Sequence, residues 1–156
     1  MTSAPRQAGE DEDWAAVLRL IRDSFAYMEP RIDPPSSMHR LTEAGLAEAA
    51  RQGEVWLIGQ PVQACMVLTY HPDALHIGKV AVAAEARRQG LARLLIGQAE
   101  DRARALGLAR LELQTRVELS ELHATYRALG FRQTGTDSHP GYDRPTSLIF
   151  TRLVSD

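Results

Sequence analysis

"EARRQGLARLL", Glu85 to Leu95, opens a helix against electrostatic custom. From Gly90 to Leu106 apolar residues recur at helical period, with Leu91, Leu94, Leu95, Ala99, Ala103 and Leu106 on one stripe and Gly107 marking the end. A helix N-terminus carries unpaired N–H groups and roughly half a positive charge, so Asp, Glu or Ser usually stands there. Here Arg87, Arg88 and Arg93 bracket the turn, and Gly90, Leu91 and Ala92 offer no capping side chain. Added positive charge at such an end costs from a few tenths to about 1 kcal/mol unless an anion lies between. A bound phosphate removes the conflict. It also gives Gly90 a purpose, since a backbone that approaches an anion closely has no room for a Cβ. The competing reading is a solvated turn in an arginine-rich chain. Neither the Walker pattern G-x-x-x-x-G-K-[ST] nor G-x-G-x-x-G is present, so the implied anion is not a nucleoside triphosphate.

Around this helix the chain alternates between two periods. Upstream, "EVWLIGQPVQACMVLTYHPDALHIGKVAVAA" is a series of Val-, Leu- and Ile-rich runs broken at Gly59-Gln60-Pro61 and His71-Pro72-Asp73, which reads as three strands in an antiparallel meander. Downstream, "RLELQTRV" alternates strictly, with Leu111, Leu113, Thr115 and Val117 on the buried face of a strand. "SELHATYRALG" follows as a helix closed by Gly130. Two strands, Phe131 to Thr136 and Ser147 to Val154, then flank the turn-rich "DSHPGYDRP". At the other end, Asp11, Glu12 and Asp13 precede an amphipathic helix from Glu12 to Tyr27 with Trp14, Val17, Leu18, Ile21 and Phe25 on one face. "EPRIDPPSS", with three prolines, separates it from a second helix, "LTEAGLAEAARQ", that ends near Gly53. A weak strand before Asp11 is available as an edge. The order predicts one α+β domain over 1–156: a mixed, mostly antiparallel central sheet of about six or seven strands flanked by four helices.

Composition narrows the function classes. With 156 residues, 44% hydrophobic and 24% charged, the chain has the makings of a folded core. A formal net charge of −2 argues against nucleic acid or an anionic membrane as partner. The arginines of the third helix are interleaved with Glu100 and Asp101 and have no aromatic beside them for stacking. Cys65 is the only cysteine, so no internal disulfide forms, and no Cys/His cluster has metal-ligand spacing. No export signal or apolar run of membrane-spanning length is visible, which fits the cytoplasm.

Arg87-Arg88-Gln89-Gly90-Leu91-Ala92 is similar to the [QR]-x-x-G-x-[GA] loop of the GCN5-related N-acetyltransferase (GNAT) family. The preceding "KVAVAAEA" resembles that family's fourth strand, and "ATYRALGF", Ala124 to Phe131, resembles its A-x-x-Y-x-x-x-G-F element. The order of helices and strands agrees along almost the whole chain. The resemblance implies acetyl-coenzyme A as cosubstrate, without a metal, lying between the fourth and fifth strands. The backbone of Val80, Ala81 and Val82 would pair with the pantetheine arm, and amides from Arg88 to Arg93 would hold the pyrophosphate, with Arg87 or Arg88 adding charge. Tyr126 matches the family's tyrosine, often the general acid beside the thioester sulfur. Where many members carry an asparagine seven residues earlier, this chain has Leu119.

The residues also admit plainer roles. Val80 and Val82 read as strand core, and Tyr126 shares an apolar helical face with Leu119, Leu122 and Leu129. His76, four residues before Val80, is a candidate base for the acceptor ammonium because imidazole titrates near neutrality, yet a strand histidine is as readily structural. Glu85 is a nearby acid, and His123 is expected to face away from Tyr126. The family draws substrate contacts from two loops, here Tyr27 to Arg40 and Asp137 to Arg144. Glu29 and Asp33 are then candidates to attract a cationic amine, with Tyr27 and Tyr142 as walls, or all four are solvated loop residues.

The expected function is N-acetyl transfer to a primary amine, on a small molecule or a peptide, by direct attack in a ternary complex. A non-catalytic acyl-coenzyme A sensor of the same fold is the alternative. Cys65 lies in the apolar strand "QACMVL", where a thiol should be inert, so no covalent acyl-enzyme is expected. Dimers are frequent in the family, which leaves a homodimer open.

Overall fold

Seven strands pair into one sheet in the computed structural model, which describes residues 4–154. In chain order the elements are β1 (Arg6–Gln7), α1 (Trp14–Phe25), α2 (Glu43–Gln52), β2 (Glu54–Ile58), β3 (Ala64–Tyr70), β4 (Ala74–Val82), α3 (Leu91–Leu106), β5 (Arg110–Arg116), α4 (Ser120–Ala128), β6 (Arg132–Asp137) and β7 (Ser147–Leu153). The sheet order is β1-β2-β3-β4-β5-β7-β6, and every pair is antiparallel except β4 with β5. Alternation along the strands feeds two cores. Met66, Leu68, Leu75, Ile77, Leu113 and Phe150 pack with Leu95, Ala99 and Tyr126 of α3 and α4. Val55, Leu57, Cys65 and Ala81 pack on the opposite face with Ile21 of α1 and Leu46 of α2.

Local chemistry sets the helix ends. The Asp13 carboxylate accepts from Ala16 N at 3.2 Å and Thr42 Oγ1 accepts from Gly45 N at 3.0 Å, so α1 and α2 begin one residue after these caps. After Phe25 the chain tightens into a 3₁₀ turn, Ala26–Met28, and the expected helix to Tyr27 ends early. The apolar stripe of α3 is also shifted. Leu91, Leu95, Ala99 and Ala103 are buried, but Leu94 and Leu106 stand 39% and 41% exposed, while Ile96 and Glu100 are turned inward. Glu100 is held there by Arg104 at 2.8 Å and Arg152 at 2.9 Å.

The parallel pairing of β4 with β5 is brief. It covers Ala74 to His76 against Arg110 to Glu112, after which β4 runs on to Val82 and β5 to Arg116 without pairing to each other. A bulge in β4 accompanies the separation. Cys65 opposes Ala81 and Val67 opposes Gly78, so Met66 alone faces both Lys79 and Val80. Lys79 takes the extra residue's turn with φ of 53°, left-handed for a side chain that rarely adopts it, and Cys65 Sγ donates to its carbonyl at 3.5 Å. The two strands therefore form a fork.

Candidate active site

The fork encloses a cavity of about 420 Å³. Residues 77–82 of β4 form one wall and residues 113–116 of β5 the other. Ser24, Phe25, Tyr27 and Met28 close it from the end of α1, and Leu119, Leu122, Thr125 and Tyr126 close it from α4. Arg87 and Ala92 extend the lining to the start of α3, so the arginine turn and the tyrosine belong to one space. On the β4 wall, Ala81 is turned to β3 opposite Cys65, and the Val82 carbonyl accepts from Ser24 Oγ at 3.1 Å. Of the three residues expected to pair with an extended arm, Ala81 faces a neighbouring strand and Val82 is engaged by α1. Val80 stands beside the gap with neither constraint.

At the turn, Arg88 and Gly90 are both left-handed, with φ of 66° and 77°. Gly90 is the N-cap of α3 and no side chain caps the helix. Among the described residues, no backbone acceptor serves the amides of residues 88–93. A Cβ built on Gly90 would meet nothing within 4 Å, so the space in front of the helix end is open. Donor amides, a helix dipole and left-handed turns of this kind form an anion-binding concavity. The residues present thus fit a diphosphate, with Arg87, Arg88 and Arg93 exposed around it. Arg87 leans inward and stands over the Tyr27 ring at 5.9 Å.

Tyr126 is 9% exposed and packs edge-on against Phe131, ring centroids 5.9 Å apart. Burial, with a smaller contribution from Tyr27, pushes its phenol up to about 12. The core role and the cavity role hold together: the ring belongs to the buried cluster and also lines the fork. His76 is placed differently. It pairs in register with Glu112 at the closed end, its Nδ1 3.8 Å from Glu112 Oε1, and its ring stacks on His71 at 5.4 Å. It does not line the cavity. Burial first, then His71, lowers its pKa despite Glu112, so the ring is neutral at pH 7. His123 is buried and donates from Nε2 to the Arg116 carbonyl at 2.9 Å.

A model of the acetyltransferase (GNAT) family matches residues 14–131, most of the 156-residue chain. The chain is a member of the GNAT family. No curated protein matches it. Among solved structures, PaiA N-acetyltransferase from Thermoplasma acidophilum in complex with coenzyme A has a TM-score of 0.82 at 13% identity, over 98% of this chain and 99% of that one. The ribosomal-protein-S18-alanine N-acetyltransferase from Escherichia coli has a TM-score of 0.67 at 21% identity, over 97% and 95% of the two chains. An IAA acetyltransferase from Bacillus cereus ATCC 14579 follows at 0.68 and 18%, over 96% and 98%. At such identities the likeness is one of fold.

Within this GNAT fold the two loops read as substrate contacts meet each other. Tyr142 OH donates to Asp33 Oδ1 at 2.6 Å and Arg144 reaches Oδ2 at 3.1 Å, so Asp33 and Tyr142 satisfy one another. Neither lines the cavity. Glu29 pairs with His39 at 2.7 Å and is likewise absent from the lining, whereas Tyr27 is part of it. The carboxylates expected to draw in a cationic amine are therefore engaged elsewhere. Leu119, in the family asparagine's place, is 1% exposed and packs with Met28 and Ile32, pinning the loop after α1. Among the polar lining residues not singled out as site candidates from the sequence are Ser24, Lys79, Thr115 and Arg116. A signal existed for Lys79 alone, as the one lysine, set in the apolar run "HIGKVAV".

Proposed function

We propose that this GNAT protein is an N-acetyltransferase acting as one catalytic domain. It moves the acetyl group of acetyl-coenzyme A to a primary amine by direct attack in a ternary complex. The supporting observation is that one cavity is lined both by Arg87 and Ala92 at the start of α3 and by Tyr126 of α4. In this reading the amides of residues 88–93 and the Arg87 side chain bind the diphosphate. The Val80 edge receives the pantetheine arm, and the thioester lies by the bulge near Tyr126. The amine nitrogen attacks the thioester carbonyl carbon, the C–N bond forms, and the C–S bond breaks with its electron pair on sulfur. Tyr126 donates a hydrogen bond to that sulfur, and the proton released by nitrogen passes through water to the thiolate, leaving amide and free thiol. His76 is not used as the base, because it lies at the closed end of the fork. Calorimetry with coenzyme A followed by a thiol-release assay over an amine panel tests the proposal. Saturable coenzyme A binding with amine-dependent thiol release is expected, and coenzyme A bound outside the fork, or not at all, overturns it.

A further inference from the structure

The cavity has a charge pattern that restricts its acceptor. Lys79, Arg87 and Arg116 line it, and among the described residues no aspartate or glutamate does. Arg116 is engaged, donating to the carbonyl oxygens of Pro34 at 2.7 Å and Pro35 at 3.2 Å. Arg87 lies at the α3 end over Tyr27, where the acetyl-transfer reading uses it for the diphosphate. Lys79 is left. It stands in the bulge at the inner part of the fork, and its ammonium makes no hydrogen bond or ion pair among the described residues. Burial lowers its pKa with no acid nearby to offset the effect. On the facing strand, Thr115 Oγ1 is buried and also lacks a partner.

An unpaired, half-buried ammonium and an unpaired buried hydroxyl are unfavourable until something accepts their hydrogen bonds. A cationic acceptor without an acid would add a like charge to the same space, whereas a carboxylate would pair with both donors. We infer that the acceptor bears a carboxylate beside its amine, as an α-amino acid does, and that Lys79 with Thr115 receives that carboxylate. The inference rests on the acetyl-transfer reading of this cavity and narrows its substrate class. The positive charge serves the chemistry as well, since it disfavours the protonated form of the acceptor amine and favours the neutral nucleophile.

The test compares α-amino acids with their carboxamides and the matching decarboxylated amines in the thiol-release assay, using wild type, Lys79→Met and Lys79→Arg. The wild type should favour the free acids by roughly tenfold or more in kcat/KM. Lys79→Met should erase that preference through a higher acceptor KM, with coenzyme A affinity by calorimetry unchanged within about twofold. Lys79→Arg, which keeps the charge, should retain part of the preference and also guards against loss of fold in the first variant. The inference is overturned if amides or plain amines serve as well as the acids. It is equally overturned if Lys79→Met keeps the preference, or if a wild type that binds coenzyme A accepts no carboxylate-bearing amine. A wild type that fails to bind coenzyme A defeats the acetyl-transfer reading itself.

Discussion

Tyr126 is a donor whose proton is secure. Its phenol is pushed up to about 12 by burial, well above a leaving thiolate with a solution pKa near 8.5, so it acts by hydrogen-bonding the developing sulfur charge as the C–S bond breaks. We expect Tyr126→Phe to lower kcat by about 10² to 10⁴ and to leave coenzyme A affinity nearly unchanged, as thiol-release kinetics and calorimetry would show. Equal turnover in the variant would take Tyr126 out of the mechanism. The same shift predicts no alkaline break in the wild-type rate from this residue below about pH 10. The tyrosine was legible in the sequence because its motif is local. The surroundings of His76 and Lys79 were not legible there: they lie three residues apart on one strand, and ordinary alternation puts them on opposite faces. The bulge breaks that parity, and a bulge leaves no mark in a hydrophobic pattern. The partnership of Asp33 with Tyr142 was not legible for another reason, since it spans 109 positions of chain.

Elements carry the next two predictions. At the start of α3, Gly90 has φ of 77° and open space where a Cβ would go. In the free protein Gly90→Ala therefore costs only the left-handed strain, roughly 1–2 kcal/mol. A bound diphosphate would meet that methyl, so calorimetry should show a loss of coenzyme A affinity beyond what the thermal melt explains. Gly90→Glu, which puts a carboxylate against the anion, should abolish binding in a protein that still unfolds cooperatively. Between β2 and α3, the Glu54 carboxylate is 1% exposed and takes both guanidinium bonds of Arg102 at 2.8 Å, with Trp56 Nε1 at 2.8 Å and Tyr70 OH at 2.7 Å. Desolvation raises its pKa, but these four bonds and the Arg102 charge outweigh it, and the net shift is downward from 4.5. A carboxyl with a depressed folded pKa contributes stability that is present above its ordinary value and lost as pH falls through the folded one. Denaturant melts should thus show wild-type stability declining below about pH 4.5 and a shallower decline in Glu54→Gln. The helices and strands flanking Glu54 were readable from periodicity. Their cross-links were not, because Arg102 and Glu54 look like ordinary surface charges 48 residues apart.

Across the whole molecule, pairing of β4 with β5 closes one end of the fork, and the loop after α1 ties the elements around it together. The loop after α1 is fastened to the start of α4 by Arg31 on Glu121, at 2.6 and 3.0 Å, and by Leu119 packing with Met28 and Ile32. It is fastened to β5 by Arg116 on the Pro34 and Pro35 carbonyls, and to the β6–β7 loop by Asp33 with Tyr142 and Arg144. Elements at opposite ends of the chain are thereby joined beside the cavity that Arg116 and Leu119 line. The Asp33–Arg144 pair is exposed, with side chains 63% and 47% accessible, so it contributes at most about 1 kcal/mol to folding. For a domain of this size that is a change of roughly 2–4 °C in Tm. Its effect on the acceptor should be larger than its effect on the fold. Asp33→Ala removes the acceptor of both Tyr142 and Arg144, frees the two loops from each other, and lets Arg116 drift with Pro34 and Pro35. We expect acceptor KM to rise by roughly tenfold while coenzyme A affinity, set at the α3 end, stays constant. Steady-state kinetics at saturating acetyl-coenzyme A, read beside a thermal melt, would check this. A fall in Tm with an unchanged acceptor KM would reduce the strap to a stabilising contact and detach the two loops from the site.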